Sequence, residues 1–589
     1  MNYMNSGHEA SSMNPLKDMI NLRNKDFVKK RRLMKPFATW IHIWGFVTGA
    51  VISGEFSGFN GGYSYGLGSM IVAHTLFSIL MISVSMNLLE LTIAMPFASG
   101  CAAWAKAAFG GPVGCLIGLA YTLDMVFIGA NVTLFLGTTL TSISSNLSSP
   151  ILNWLVTMGF CWLLNLHPKV FFNVITALSA VSIVLVFAPL IACWGQFDLS
   201  LAWETLLPNG TISNAYFPFG LDGISKSAPL ALYLLVCFES LPVAVEETKD
   251  ASFSLKWGML TANLTLLVAS WTVLIICAGM KPGSVALSAV SFPYTLILTK
   301  AFPDAHPQLI NIINIPAIFA SQLATFYASS RHIYGLSRSG YLPRFCSLTN
   351  RWGSPWVALL ITCILWFTFS LLLQFIPNSN TMTIFFALGT LFAMTAYLIQ
   401  PLVYLKLHFH LPSLPRPFKV PFGLGPCFAG MNFLIAVVGI LGMVSSGAVW
   451  TWSALGIFAG YAFVTPFYFF VIQHNLEKSP EKIFIKEQLK VRADESLISE
   501  SSGRESKSLE AWKNLMQGTE DVSRRSDAVN TDRHHNRRGI SISVTSFARK
   551  TSIASSTLQQ QQQLQQPPAV KKGTKDAVDI QDNIQALWG

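Results

Sequence analysis

Three carboxylates, Glu55, Asp124 and Glu239, stand inside long apolar stretches with no Lys or Arg beside them. A buried acid without a counter-charge is costly in hydrocarbon, so it is either neutral or holds a cation. One economical reading is that the three surround a protonated amine. The alternative is that one or more is protonated and hydrogen-bonded between helices, or is hydrated near a mouth. Their neighbours support a binding role. Glu55 follows Ile52, Ser53 and Gly54 and precedes Phe56, in a segment from Val51 to Tyr63 that carries four glycines. Interior glycine costs a helix about 1 kcal/mol, so a straight lipid-facing helix gains nothing from them. Glu239 stands in Cys237-Phe238-Glu239-Ser240-Leu241-Pro242, where Pro242 removes a backbone donor. Freed N–H groups at such breaks favour anions, and freed carbonyls favour cations. Phe56, Phe59, Tyr63, Phe127, Tyr233 and Phe238 stand near the breaks and offer aromatic faces to a cation, although lipid or core packing accounts for most rings in a chain this rich in Phe. The candidate substrate-binding set is therefore Ile52, Ser53, Gly54, Glu55, Phe56, Asp124, Phe127, Phe238, Glu239 and Ser240.

The elements that must hold these residues are membrane spans. Apolar segments of spanning length recur at 38–65, 69–95, 113–141, 151–166, 170–195, 226–246, 257–281, 309–335, 355–376, 381–406, 427–447 and 451–474. Twelve spans put the two interruptions in the first and sixth, five spans apart. Broken helices at matching positions of two five-span halves point to the binding site of a secondary transporter. The expected fold is an all-α polytopic membrane protein with discontinuous helices 1 and 6, an inverted 5+5 repeat and two further helices.

Composition sets the same class. Of 589 residues, 52% are hydrophobic and 12% charged, and the mean hydropathy is +0.47. A water-soluble domain cannot hide that much apolar surface. The net charge of +11 does not indicate a nucleic-acid partner, because the basic residues lie mainly in the N-terminal arm, certain short loops and the tail. Lys106, Lys169, Lys256, Arg331, Arg338, Arg344, Arg351, Arg416 and Lys419 follow even-numbered spans, which puts both termini in the cytosol. The glycosylation acceptors Asn146-Leu147-Ser148 and Asn209-Gly210-Thr211 fall in loops on the other side, and the two other matches, at Asn131 and Asn263, lie inside spans. Met1 to Arg32 is polar and basic, so no cleavable signal peptide is expected. The nine cysteines show no metal or redox spacing and are expected as free thiols.

Three regions follow: a disordered cytosolic arm at 1–36, a twelve-helix domain at 37–475, and a Ser-rich, Gln-rich cytosolic tail at 476–589 that is expected to be disordered. Arg537-Arg538-Gly539-Ile540-Ser541 in the tail reads equally as a kinase site or an incidental basic patch. No phosphate loop, zinc motif or nucleophile elbow stands in credible context, which argues against an enzyme and against any cofactor or metal.

These features resemble the amino acid–polyamine–organocation superfamily over roughly 38–475. The likeness is carried by Ile52-Ser53-Gly54 with Gly58, and by Glu90-Leu91 with Ala94-Met95-Pro96, Ser99-Gly100 and Ala108-Phe109-Gly110. It continues in Glu246-Glu247-Thr248-Lys249-Asp250, in Ser337-Arg338-Ser339-Gly340-Tyr341-Leu342-Pro343, and in Arg416-Pro417-Phe418-Lys419-Val420-Pro421. Ser99 replaces a family glycine, and Ser339 stands where Asp is usual. Within the superfamily, Ile52 to Asn60 is most similar to ethanolamine permeases. The resemblance implies substrate held between spans 1, 3, 6 and 8 and alternating access driven by a proton or ion gradient or by exchange. Span 5 has Ser179 and Ser182 but no lysine of the kind proton-coupled members carry, which leaves proton, sodium and exchange open.

The expected activity is secondary transport of a small amine or amino acid, with ethanolamine-like, polyamine and amino acid substrates in that order, in the plasma membrane. The alternative, suggested by the tail, is a nutrient sensor.

Overall fold

The computed structural model describes residues 33–143, 149–375, 379–412 and 414–473. Most of the arm expected at 1–36, the acceptor at Asn146, the tail at 476–589 and its Arg537–Ser541 patch lie outside the described residues.

Helices form almost all of the described chain. In order they are α1 (Trp40–Val51), α2 (Leu67–Ala94), α3 (Cys101–Phe109), α4 (Gly111–Ile143), α5 (Pro150–Asn165), α6 (Pro168–Ala192), α7 (Gly220–Tyr233), α8 (Ala251–Thr272), α9 (Ile315–Arg338), α10 (Trp356–Phe375), α11 (Ser379–His410), α12 (Gly425–Ser445) and α13 (Ala448–Phe467). Short helical turns join several of them, and one antiparallel pair, β1 (Thr205–Leu206) and β2 (Ile212–Ser213), sits between α6 and α7. Among the described residues nine apolar helices are long enough to span a membrane. Two shorter apolar helices, α5 and α10, and the interrupted first segment at 40–65 complete the twelve expected spans.

Local chemistry sets where these helices start. The Ser149 hydroxyl caps α5 by accepting from the Leu152 N–H at 3.4 Å, and Pro150 takes the first helical position, where its missing donor costs nothing. Pro168 opens α6 in the same way. The Asp250 carboxylate accepts from the Phe253 N–H and starts α8.

Burial distinguishes centre from rim. The span from Gly220 to Glu247 is 94% buried along its most apolar window, whereas Ala448–Ile472 is 11% buried. The buried centre includes α1, α2, the sixth span, α4 and α9. Helix α4 packs on α9, α11 and α3, while α1 packs on α6, α8 and α9. Helix α2 lies along α7 and α12, and α13 rests on α11 at the edge.

Both expected interruptions are present. After α1 the backbone tightens into a 3₁₀ turn at Ile52–Glu55 and a second at Phe59–Tyr65. After α7 the helix gives way at Leu234–Cys237 and resumes as a 3₁₀ stretch at Phe238–Glu247. The second break opens ahead of Pro242, at Cys237, whose φ of +79° is a left-handed conformation that a non-glycine residue adopts only where its surroundings impose it.

Candidate functional site

The first break is closed by a hydroxyl from α9, and a second hydroxyl, from α6, bonds the helix that leads into it. The Ser53 N–H donates to Ser321 Oγ at 3.1 Å, and Ser321 Oγ donates in turn to the Gly49 carbonyl at 2.8 Å. Ser179 Oγ donates to the Gly45 carbonyl at 2.7 Å. One side chain of α9 thus satisfies both a donor and an acceptor that the interrupted helix leaves free. Ile52 and Phe56 are wholly buried beside it. Gly54 is the point where the two breaks touch, because a Cβ there would lie 2.6 Å from the Tyr233 carbonyl oxygen. Glu55 is fully buried, and neither carboxylate oxygen has a hydrogen-bond partner among the described residues. Tyr233 and Tyr294 are within its electrostatic reach, and the Phe56 ring lies 5.2 Å from that of Tyr294.

The second break gathers the other two acids. Glu239 Oε2 accepts from Tyr397 Oη of α11 at 2.6 Å. The Phe238 ring packs 5.8 Å from the same tyrosine. Ser240 Oγ donates to the Cys237 carbonyl at 3.0 Å and touches the Met125 sulfur at 3.4 Å. Asp124 approaches from α4 and is fully buried. It lies close enough to Glu239 for the two carboxyls to act on each other, yet neither Asp124 oxygen meets the geometry of a hydrogen bond. Phe127 follows Asp124 by one helical turn on α4. Its ring packs among Phe369, Phe385 and Phe392, at 4.9, 5.4 and 6.0 Å, in an aromatic cluster of α10 and α11.

Among the described residues three further carboxylates are buried, and each has an arginine. Arg331 Nη2 lies 3.3 Å from Glu247 Oε1, Arg338 Nη1 3.1 Å from Glu246 Oε2, and Arg416 Nη1 2.9 Å from Glu90 Oε1. Tyr327 Oη donates to Glu247 Oε2 at 2.6 Å, and the Arg331 guanidinium stacks 3.8 Å from the Tyr327 ring centre. Tyr404 Oη and the Val420 N–H both donate to Glu90 Oε2 at 3.0 Å. These pairs join the Glu90-Leu91, Glu246-Glu247, Ser337-Arg338 and Arg416-Pro417 segments at one end of the bundle. Arg331, Arg338 and Arg416, counted from sequence as loop charges, are instead nearly or wholly buried. Charge counting along a chain registers sign but not depth. His332 stacks on Tyr121 at 5.8 Å.

Two populations of buried acid follow. Glu90, Glu246 and Glu247 are neutralised and hold the basic end of the bundle together. Among the described residues Glu55, Asp124 and Glu239 have no basic partner, and they flank the two breaks. A desolvated carboxylate stabilises a cation strongly, so this second set can hold an ammonium group or a proton. Ser321, Tyr397 and Tyr233 also belong to this region, and sequence reasoning put none of them in the binding set. Each is a single hydroxyl on an apolar helix, and only Tyr233, named as an aromatic near a break, left any signal.

Residues 39–479 match the family described as Amino acid permease. The branched-chain amino acid permease of Bacillus subtilis is 26% identical over 247 residues, covering 41% of this chain and 50% of that one. The methylthioribose transporter of the same organism is 28% identical over 208 residues, covering 35% of this chain and 43% of that protein. The D-serine/D-alanine/glycine transporter of Escherichia coli K12 is 24% identical over 276 residues, covering 46% and 57%. The chain thus spans about half the length of the curated relatives it matches. The family match runs through both breaks and all six buried acids: this chain belongs to the amino acid permease family.

Proposed function

We propose that the chain is a secondary active transporter that carries a small solute bearing a protonated amine, either a simple amine such as ethanolamine, a polyamine, or an amino acid. The observation that carries this reading is the division of the buried acids. Among the described residues three are matched to arginine, and the three flanking the helix breaks are not. Amino acids share the ammonium group with amines, and two of the relatives are named for amino acids. Substrate lies between the breaks with its ammonium toward Glu55 or toward the Asp124–Glu239 pair. Half-helix N–H groups can also bind a carboxylate when the solute has one.

Alternating access opens the site to one side at a time, and the latch of Glu247, Arg331 and Tyr327 belongs to the closed gate at the basic end. Lys and Arg concentrate at that end, so it faces the cytosol, with both termini on the same side, in the plasma membrane. A proton or sodium gradient, or exchange, supplies the driving force.

Uptake of labelled ethanolamine, putrescine and a panel of amino acids into proteoliposomes, with and without an imposed pH or sodium gradient, tests this directly. Saturable uptake of at least one amine-bearing solute is expected. No uptake of any of them sinks the proposal.

A further inference from the structure

Asn209, Gly210 and Thr211 form the tip of the β1–β2 hairpin, in the connection between α6 and α7. The hairpin is ordered around them. The Leu207 N–H donates to the Thr211 carbonyl at 2.9 Å, and the Gly210 N–H to the Leu207 carbonyl at 2.9 Å. Its base is anchored to the loop after α8, where Ser284 Oγ donates to the Leu201 carbonyl at 3.0 Å. Trp203 and Tyr216 pack edge to face at 4.8 Å beneath it. The tip itself is exposed from Pro208 to Ile212.

The side-chain geometry at the tip is specific. Asn209 Oδ1 accepts from the Thr211 N–H at 3.1 Å and from Thr211 Oγ1 at 2.7 Å. The amide oxygen is thereby engaged, and Nδ2 makes no hydrogen bond among the described residues. Of the four Asn-x-Ser/Thr triplets singled out in the sequence, those at Asn131 and Asn263 lie inside α4 and α8, and Asn146 lies outside the described residues. Asn209 is the one that the described fold presents on an exposed turn.

Charge says which face this turn occupies. From Cys193 to Phe219 the connection contains no Lys or Arg and carries Asp198 and Glu204, whereas the opposite ends of the flanking spans carry Lys169, Lys249 and Lys256. The positive-inside asymmetry sends such a loop away from the cytosol.

We infer that Asn209 is an N-glycosylation site, modified on the non-cytosolic face when the chain is made in a cell that carries out this chemistry. The co-substrate is a lipid-linked oligosaccharide diphosphate, and a membrane transferase performs the reaction. Asn209 Nδ2 bonds to the anomeric carbon of the first sugar, the bond from that carbon to the diphosphate oxygen breaks, the lipid diphosphate leaves, and one Nδ2 proton passes to a base of the transferase. No electron transfer is involved. Thr211 supplies the hydroxyl at the second position after the acceptor, and the hairpin holds the pair away from the bilayer, as a bulky surface glycan requires. The inference rests on the orientation proposed above and on nothing about the substrate.

The test is expression of the full chain in a eukaryotic cell line, followed by an amidase that removes N-linked glycans, with gel mobility as readout. The parent chain is expected to shift to higher mobility. Asn209→Gln and Thr211→Ala are each expected to lose the shift belonging to this site, and Thr211→Ser to keep it. Asn146→Gln, made alone and together with Asn209→Gln, assigns any second glycan. A parent chain that does not shift, or a shift that survives in Asn209→Gln and vanishes in Asn146→Gln, overturns the inference. Labelling of Asn209→Cys in intact cells by a membrane-impermeant maleimide reads the orientation separately. External labelling without glycan overturns the site alone, and labelling only after permeabilisation overturns the orientation with it. Uptake measured on Asn209→Gln keeps the transport proposal distinguishable, since that variant is expected to carry solute like the parent.

Discussion

Tyr397 donates its phenol to the Glu239 carboxylate at 2.6 Å, linking α11 to the second helix break. The acid at the centre of the candidate site is therefore positioned by a residue outside spans 1, 3, 6 and 8. Among the described residues one Glu239 oxygen has no hydrogen-bond partner, and Asp124 lies close by with neither oxygen hydrogen-bonded.

Glu239→Gln removes the charge and keeps the shape, so affinity for an amine-bearing solute should fall while the protein still folds and reaches the membrane. Tyr397→Phe removes one hydrogen bond to a carboxylate, which is worth about 1.5–3 kcal/mol, or roughly a tenfold to hundredfold change in apparent affinity. In the double variant the two losses should not add, because both act through the same oxygen. Concentration-dependent uptake in proteoliposomes measures all three. Parent-like affinity in both Glu239→Gln and Glu55→Gln would show that these acids only brace helices.

The Arg331–Glu247 pair is wholly buried, and each partner alone would be an uncompensated charge. Arg331→Met or Glu247→Gln should destabilise the folded protein by about 3–5 kcal/mol. The combined variant, which leaves no charge, should recover much of that loss. Thermal melting of purified protein reads the comparison, and a double variant no more stable than either single one would refute a coupled pair.

Twelve spans and two breaks were legible in the chain because both signals are local. A run of about 20 apolar residues is visible in one window, and so are glycines and a proline inside such a run. The three acids with no Lys or Arg beside them in the chain were legible for the same reason. What sequence could not show is pairing across the bundle. Arg331 and Glu247 are 84 residues apart, and Tyr397 and Glu239 are 158 apart. Nothing near Tyr397 distinguishes it from other tyrosines on apolar helices. Phe127 shows how a helix divides its contacts. It is one helical turn from Asp124, yet its ring belongs to a cluster with Phe369 and Phe385, because two residues on one helix need not share all their neighbours.

Ser321 holds the first break through two hydrogen bonds, one accepted from Ser53 and one donated to Gly49. Ser321→Ala leaves a buried N–H and a buried carbonyl without this partner, at a cost of about 1–3 kcal/mol for each group left unsatisfied. Because the strain falls on the segment that carries Glu55, uptake should drop further than melting temperature alone accounts for. Ser321→Thr, which keeps the hydroxyl, should retain more uptake. Equal uptake in the alanine variant and the parent would mean that the break does not depend on this hydroxyl.

Gly54 and Gly61 provide a matched pair, since both lie in the glycine-rich segment but in different surroundings. At Gly54 a methyl group would sit 2.6 Å from the Tyr233 carbonyl oxygen and 3.2 Å from the Leu234 Cα, both backbone atoms that have little room to yield. At Gly61 the nearest atom is Leu230 Cδ1 at 3.6 Å, an ordinary contact. Gly54→Ala should force the two broken helices apart and abolish most uptake, with a destabilisation of about 1–3 kcal/mol from overpacking. Gly61→Ala should transport nearly like the parent. Uptake and melting on the two variants, made side by side, separate close approach of the breaks from a general need for flexible glycines. If both alanines are tolerated, the contact between the breaks is not required for transport.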